Sequence, residues 1–240
     1  MTEIIKIMKY ILFLLLFVVF GTNGKSQEKM KVIYVYDALC GWCYGFSPVM
    51  NQFHETYKDS ASFEVISGGM ITGNRVGPIG EVAPYISWAY KEVEKATGVQ
   101  FGDTLINKTL KDRMAIFSSI PPAVALSVFK SMDTADRSLQ FASQLQHAIY
   151  FDGIEPEETE SYGEIASDFG FDSAEFITKI KDSVYLQLAQ KDFQFSQTLQ
   201  VSGFPMVFVK IRDVYYKIGS GYLPYEQLEN NYLFIKNKEQ

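Results

Sequence analysis

The chain is poor in cysteine, histidine and tryptophan. Its 240 residues hold two of each. It has no basic cluster in its body and carries a net charge of −6, so a nucleic-acid footprint is excluded. The acidic excess argues for solubility and names no partner. There is no low-complexity tract and no repeat of the solenoid kind. With 47% hydrophobic and 21% charged residues, the chain fits one large globular domain, or one domain carrying an insertion.

A bilayer-spanning helix needs about 20 apolar residues. Ile11 to Phe20 supply ten. Lys6 and Lys9 precede this run, and the small residues of Gly21 to Ser26 follow it. That is the three-part plan of a signal peptide over residues 1–26, with an uncleaved anchor as the alternative. Contact with a membrane is then expected only through this segment, before cleavage. No cysteine follows the run directly, so a lipid-modified cysteine there is excluded. The expected location is periplasmic or otherwise extracytoplasmic.

Export changes how Cys40 and Cys43 read. A disulfide that staples a fold gains from closing a long loop, about 4.7 kcal/mol for a hundred residues against about 2 for four. A large chain gains little from so short a ring, so the pair reads as chemistry. Zinc is the competing use of two thiolates, with His54 and His147 completing a tetrahedral set. His54 lies eleven residues after Cys43 on the same expected helix, too far along it to reach the same ion. No metal and no cofactor beyond the Cys40–Cys43 disulfide is expected.

Lys31 to Tyr36 is β-branched and aromatic and reads as a buried strand. Cys43 to Tyr57 has helical spacing, with Pro48 expected to kink the helix or end its first turn. Phe63 to Ile66 is a second strand, closed by Gly68-Gly69. Strand, helix and strand make a βαβ unit with parallel strands. Helices are expected over Glu81–Thr97, Pro122–Met132, Thr134–Tyr150, Ser161–Phe169 and Ser173–Leu199, the last long enough to break in two. Ser118 to Pro122 reads as a helix entry. Met206–Ile211 and Val214–Ile218 form an antiparallel hairpin, and Tyr225–Ile235 a closing helix. The order predicts an α/β, thioredoxin-like fold: 27–71 and 188–240 form the thioredoxin-like part, and 72–187 a helical insertion.

Asp37 to Gly45, with Cys40-Gly41-Trp42-Cys43 at its centre, resembles the DsbA-like branch of the thioredoxin superfamily. Gly68-Gly69-Met70, Pro121-Pro122 and the late Gly203-Phe204-Pro205 extend the resemblance, which is closest to a subgroup of protein-disulfide isomerases with this cysteine motif. It covers essentially the whole mature chain. It implies thiol–disulfide exchange on cysteine-containing exported proteins, and a redox partner that recharges the pair. It also implies a cis Phe204–Pro205 bond beside the cysteines, leaving the Phe204 backbone open to a bound peptide. DsbA has Pro-His between its cysteines, and a buried glutamate where this chain has Tyr34. A less oxidising pair than DsbA's is therefore expected, suited to an isomerase or mild oxidase.

Disulfide exchange needs an accessible thiolate with a second thiol close behind. Cys40, at a strand-to-helix junction, meets the unpaired amides and the positive end of the helix dipole. It is expected to be the nucleophile, with Cys43 as the resolving thiol. Trp42 is expected to give substrate an apolar contact. Asp37 reads as a turn or cap residue, with movement of the Cys43 proton as a second possibility. Two other functions fit the same pattern of elements: a glutathione-dependent transferase or isomerase of small molecules, and a non-enzymatic zinc protein.

Overall fold

The computed structural model describes residues 30–238. The segment read as a signal peptide, 1–26, lies outside them.

Strand β1 (Met30–Tyr36) runs into a short turn, and helix α1 (Gly41–Tyr57) follows. Strand β2 (Ala61–Ser67) then pairs parallel to β1. After the insertion, β5 (Met206–Ile211) pairs antiparallel with β1, and β6 (Val214–Ser220) antiparallel with β5. The sheet order is β2-β1-β5-β6. Alternation along β1 sends its side chains to two faces. Val32, Tyr34 and Tyr36 join the core that holds α1, whereas Ile33 and Val35 pack with Ile66, Met206 and Phe208 on the other side. Both faces of the sheet are thus covered, which explains why β1 reads as a continuous hydrophobic run.

Between β2 and β5 the chain is mostly helical. Its helices are α2 (Ala83–Thr97), α3 (Ile120–Met132), α4 (Ser138–His147), α5 (Thr159–Asp168), α6 (Ser173–Ile180) and α7 (Ser183–Thr198). Helix α3 is central and packs against α4, α5, α6 and α7. The Phe129 and Phe141 rings stack at 4.1 Å between α3 and α4. The closing helix α8 (Tyr225–Lys238) packs on β6 and α1.

The long helix expected over Ser173–Leu199 does break. Asp182 leaves the helical conformation, and its side chain accepts from the Val184 amide, capping α7. Pro48 does not end the first turn of α1, since the helix runs through it. Proline cannot donate to the Tyr44 carbonyl four residues back. The Ser47 hydroxyl donates to that carbonyl instead, at 2.8 Å. The insertion also holds what the helical reading missed: a ribbon of β3 (Gly77–Pro78) and β4 (Ile116–Phe117), and π-helical turns at Leu105–Thr109 and Ala148–Asp152.

Two of these helices cover the edge of the sheet. Lys130 of α3 donates to the Val65 carbonyl at 2.9 Å and to the Asp192 carboxylate of α7 at 3.2 Å. Asp192 in turn accepts from the Ser67 amide at 3.3 Å. Groups of β2 that would otherwise stand unpaired at the sheet edge are satisfied by this pair.

Candidate active site

The β1–α1 turn sets the cysteines. Cys40 is the N-cap of α1, in extended conformation, and its sulfur accepts from the Cys43 amide at 3.4 Å. Its carbonyl accepts from the Cys43 and Tyr44 amides, starting the helix. A sulfur at this place meets the unpaired donors and the positive end of the helix, which suit an anion. Cys43, one turn in, is fully buried, while Cys40 keeps 7% of its surface exposed. Both are free thiols here. Burial, then the neighbouring Cys40, pushes the Cys43 thiol well up.

The loop before β5 approaches from the other side. The Phe204–Pro205 bond is cis. The Cys40 thiol donates to the Phe204 carbonyl oxygen at 3.6 Å, a reach open to the larger sulfur atom. The Pro205 carbonyl accepts from the Gly221 amide, which ties this loop to the end of β6. Gly68 is required beneath it, because a Cβ there would overlap the Phe204 ring. Gly69 has φ +69°, and a Cβ on it would press on Phe193 at 2.8 Å.

Trp42 is half-buried, with its ring 6.5 Å from that of Tyr222. It is held by packing on one side as well as standing at the site. The Tyr44 ring stacks on Tyr150 at 5.3 Å, and Phe101 lies edge-on to both. Phe101 covers Gly41, where an added Cβ would touch it at 3.6 Å. The floor and one wall of the site are therefore aromatic.

Asp37 is buried. Its Oδ1 accepts from the Leu39 amide at 3.0 Å and from the Ser119 hydroxyl at 2.8 Å. Its Oδ2 accepts from the Met70 amide at 2.7 Å. Burial holds this carboxyl above its ordinary value, against the pull of the Met70 and Leu39 amides and of Ser119. Three donors from separate segments hold it, so the group is built as a tether between the cysteine turn, the end of β2 and the start of α3. Ser119 is the N-cap residue of α3 but makes no side-chain capping bond. Its hydroxyl faces Asp37 and accepts from the Ile71 amide at 2.9 Å. Gln146 of α4 donates to the Asp37 carbonyl at 3.2 Å.

The structure thus brings Asp37, Cys40, Trp42, Cys43, Phe204 and Pro205 to one place. The histidines stand elsewhere. His54 is buried beside Gln140, and His147 faces Asp152 at 3.2 Å. Among the described residues no three His, Cys, Asp or Glu side chains are grouped to hold a metal ion, and no helix is long and apolar enough to cross a membrane.

The family model for the DSBA-like thioredoxin domain matches residues 31–233. The chain belongs to this family. No curated protein matches its sequence. Solved structures share its fold. A candidate protein disulfide isomerase from Nitrosomonas europaea superposes with a TM-score of 0.78 at 22% identity, over 89% of this DSBA-like chain and all of its own. The cytosolic disulfide reductase DsbM from Pseudomonas aeruginosa gives 0.71 at 23% identity, over 87% of this chain and 98% of its own. A 2-hydroxychromene-2-carboxylate isomerase gives 0.55 at 13% identity, over 87% and 93%. At these identities the likeness is one of fold. The DSBA-like architecture accounts for the α1 N-terminus, the late cis-proline loop and the helical insertion seen here.

Proposed function

We propose that this chain is a thiol–disulfide oxidoreductase of exported proteins, working through Cys40 and Cys43 as isomerase or mild oxidase. The observation that carries the reading is the meeting of the Cys40 sulfur, at the start of α1, with the Phe204 carbonyl oxygen. In the reductive direction the Cys40 thiolate attacks one sulfur of a substrate disulfide. A Cys40–substrate disulfide forms, and the other substrate sulfur leaves as a thiolate. Cys43 then loses its proton and attacks the Cys40 sulfur. The Cys40–Cys43 disulfide forms, the remaining substrate thiolate leaves, and that thiolate takes up the proton. The substrate has gained two electrons and the protein has lost two. The oxidative direction is the reverse, and a redox partner then restores the disulfide. No further cofactor is needed for this balance.

Phe204 and Pro205 are assigned to substrate, whose extended backbone would lie along the Phe204 peptide groups in the manner of an added strand. Trp42 gives the substrate an apolar contact at the rim. Asp37 is assigned to positioning, because its lone pairs are taken by the donors named above. Export rests on the pattern of residues 1–26, and sequencing the N-terminus of the native protein tests it. An intact Met1 on a cytoplasmic form would contradict export and would align the chain with a reductase such as DsbM. Activity is tested by following reduction of a disulfide-bonded protein and reactivation of a scrambled one. Both should depend on Cys40, and a wild-type protein inert in both would end the proposal.

A further inference from the structure

Tyr34 carries a hydroxyl that the fold leaves unpaired. The residue is 2% exposed. It stands on β1, on the face that meets α1, with its ring 6.1 Å from Phe46 and 5.7 Å from Tyr36. Phe46 is three residues after Cys43, so both lie on the same side of α1. No nitrogen or oxygen accepts from the Tyr34 hydroxyl. A buried, unpaired donor costs free energy and calls for an explanation. Phenylalanine would fill the same space without that cost.

The acceptor that explains it is sulfur. We infer that the Tyr34 hydroxyl is the donor that meets the negative charge on Cys43 when Cys43 attacks the Cys40–substrate disulfide. As Cys43 loses its proton, its sulfur becomes a strong acceptor, and the orphaned O–H gains a charge-assisted hydrogen bond. Tyr34 keeps its own proton throughout, so the proton and electron balance of exchange is unchanged. The donor is aimed at the state that resolves the mixed disulfide, in a site where burial otherwise opposes charge.

The environment suits a donor. Burial, then the charges of Cys43 and Cys40, hold the phenol proton firmly. The other titratable groups around Cys43 work against a thiolate or stay neutral. Cys40 and the Asp37 carboxylate raise the Cys43 thiol, whereas the Asp37 amide lowers it. Tyr36 and Tyr150 are buried phenols pushed well up by burial. Tyr34 is thus an unpaired side-chain donor on the face of β1 that packs against the side of α1 carrying Cys43 and Phe46.

The inference rests on the exchange reading above, but its test does not need activity. In Cys40→Ala protein, Cys43 is the only thiol and its ionisation can be followed by thiolate absorbance. Adding Tyr34→Phe should raise the Cys43 midpoint by about one unit or more, the scale of a hydrogen bond to a charged group. In protein with both cysteines, Tyr34→Phe should slow resolution of a preformed mixed disulfide about tenfold near neutral pH, and the rate should recover at higher pH. Site-specific replacement of Tyr34 by a fluorotyrosine, a better donor, should move the midpoint down. A residue that only packs would leave both readouts unmoved, since phenylalanine keeps the ring. An unchanged Cys43 midpoint in Tyr34→Phe overturns this inference alone, whereas wild-type protein that exchanges no disulfide overturns the functional proposal.

Discussion

The thiol of Cys40 donates to the carbonyl oxygen of Phe204, 164 positions later in the chain, at 3.6 Å. One partner begins the first helix of the thioredoxin-like part, and the other precedes the cis proline of its late strand. The helical insertion lies between them in sequence and also reaches the site through Ser119, Tyr150 and Gln146. Three parts of the chain therefore meet around the cysteine turn, and each can be perturbed separately.

The two cysteines should separate by role. Cys43→Ala leaves an attacking thiol and no resolving one, so it should accumulate mixed disulfides with substrates, visible as added bands on a non-reducing gel. Cys40→Ala should accumulate none, because Cys43 is fully buried. Adducts that appear only with Cys40→Ala would reverse the assignment.

Gly68→Ala should harm the site without touching a cysteine. The new Cβ overlaps the Phe204 ring, so that ring and its loop must move. Overpacking of this kind costs about 1–3 kcal/mol. Thermal unfolding should show that loss, and the exchange rate should fall by about tenfold or more as the Phe204 carbonyl leaves Cys40. A variant with native stability and native rate would show that the loop tolerates displacement.

Ser119→Ala removes one donor to Asp37 and the acceptor for the Ile71 amide. Leaving two buried groups short of a partner should cost about 1–3 kcal/mol in denaturant unfolding. The cost should be smaller when Asp37→Asn is already present, because the Ser119–Asp37 part is then already weakened, whereas the Ile71 amide loses its acceptor in either background. Full additivity in that double-mutant cycle would contradict the tether described for Asp37.

Asp37 also predicts a pH dependence. Its carboxyl is raised in the folded protein above the ordinary value of 3.8. Between the unfolded and folded values the folded state holds the extra proton. The contribution is fully present below the unfolded value and is lost as pH rises through the folded one. Wild-type stability relative to Asp37→Asn should therefore fall as pH rises from just above about 4. A difference between the two proteins that is flat over this range would indicate an unshifted carboxyl.

Much of this site was legible in the sequence, and the rest was not for physical reasons. Strand β1 announced itself by β-branched and aromatic residues buried on both faces. Cys40 and Cys43 announced their places by a strand on one side and helical spacing on the other, and Phe204-Pro205 was implied by resemblance. Ser119 and Gln146 reach Asp37 from 82 and 109 positions away, and no local period encodes such a meeting. The serines before Pro121-Pro122 marked a real helix entry, since α3 begins at Ile120, but nothing local told that the Ser119 hydroxyl would turn toward Asp37. Strands β3 and β4 have two residues each, too short for any alternation to show. Pro48 does not end the helix, and the Tyr44 carbonyl it leaves without a backbone donor accepts from the Ser47 hydroxyl.

The measurement that bears most directly on the account is the reduction potential of the Cys40–Cys43 couple. The mature protein would be equilibrated against glutathione buffers of stepped composition, with the disulfide fraction read at each step. With Gly41-Trp42 between the cysteines, no side-chain charge or histidine between them favours the dithiol form. The couple should titrate as a single two-electron transition between the potentials of DsbA and thioredoxin, about −120 and −270 mV. A pair that stays fully dithiol or fully disulfide across the whole series would contradict the central claim that Cys40 and Cys43 are a working redox couple.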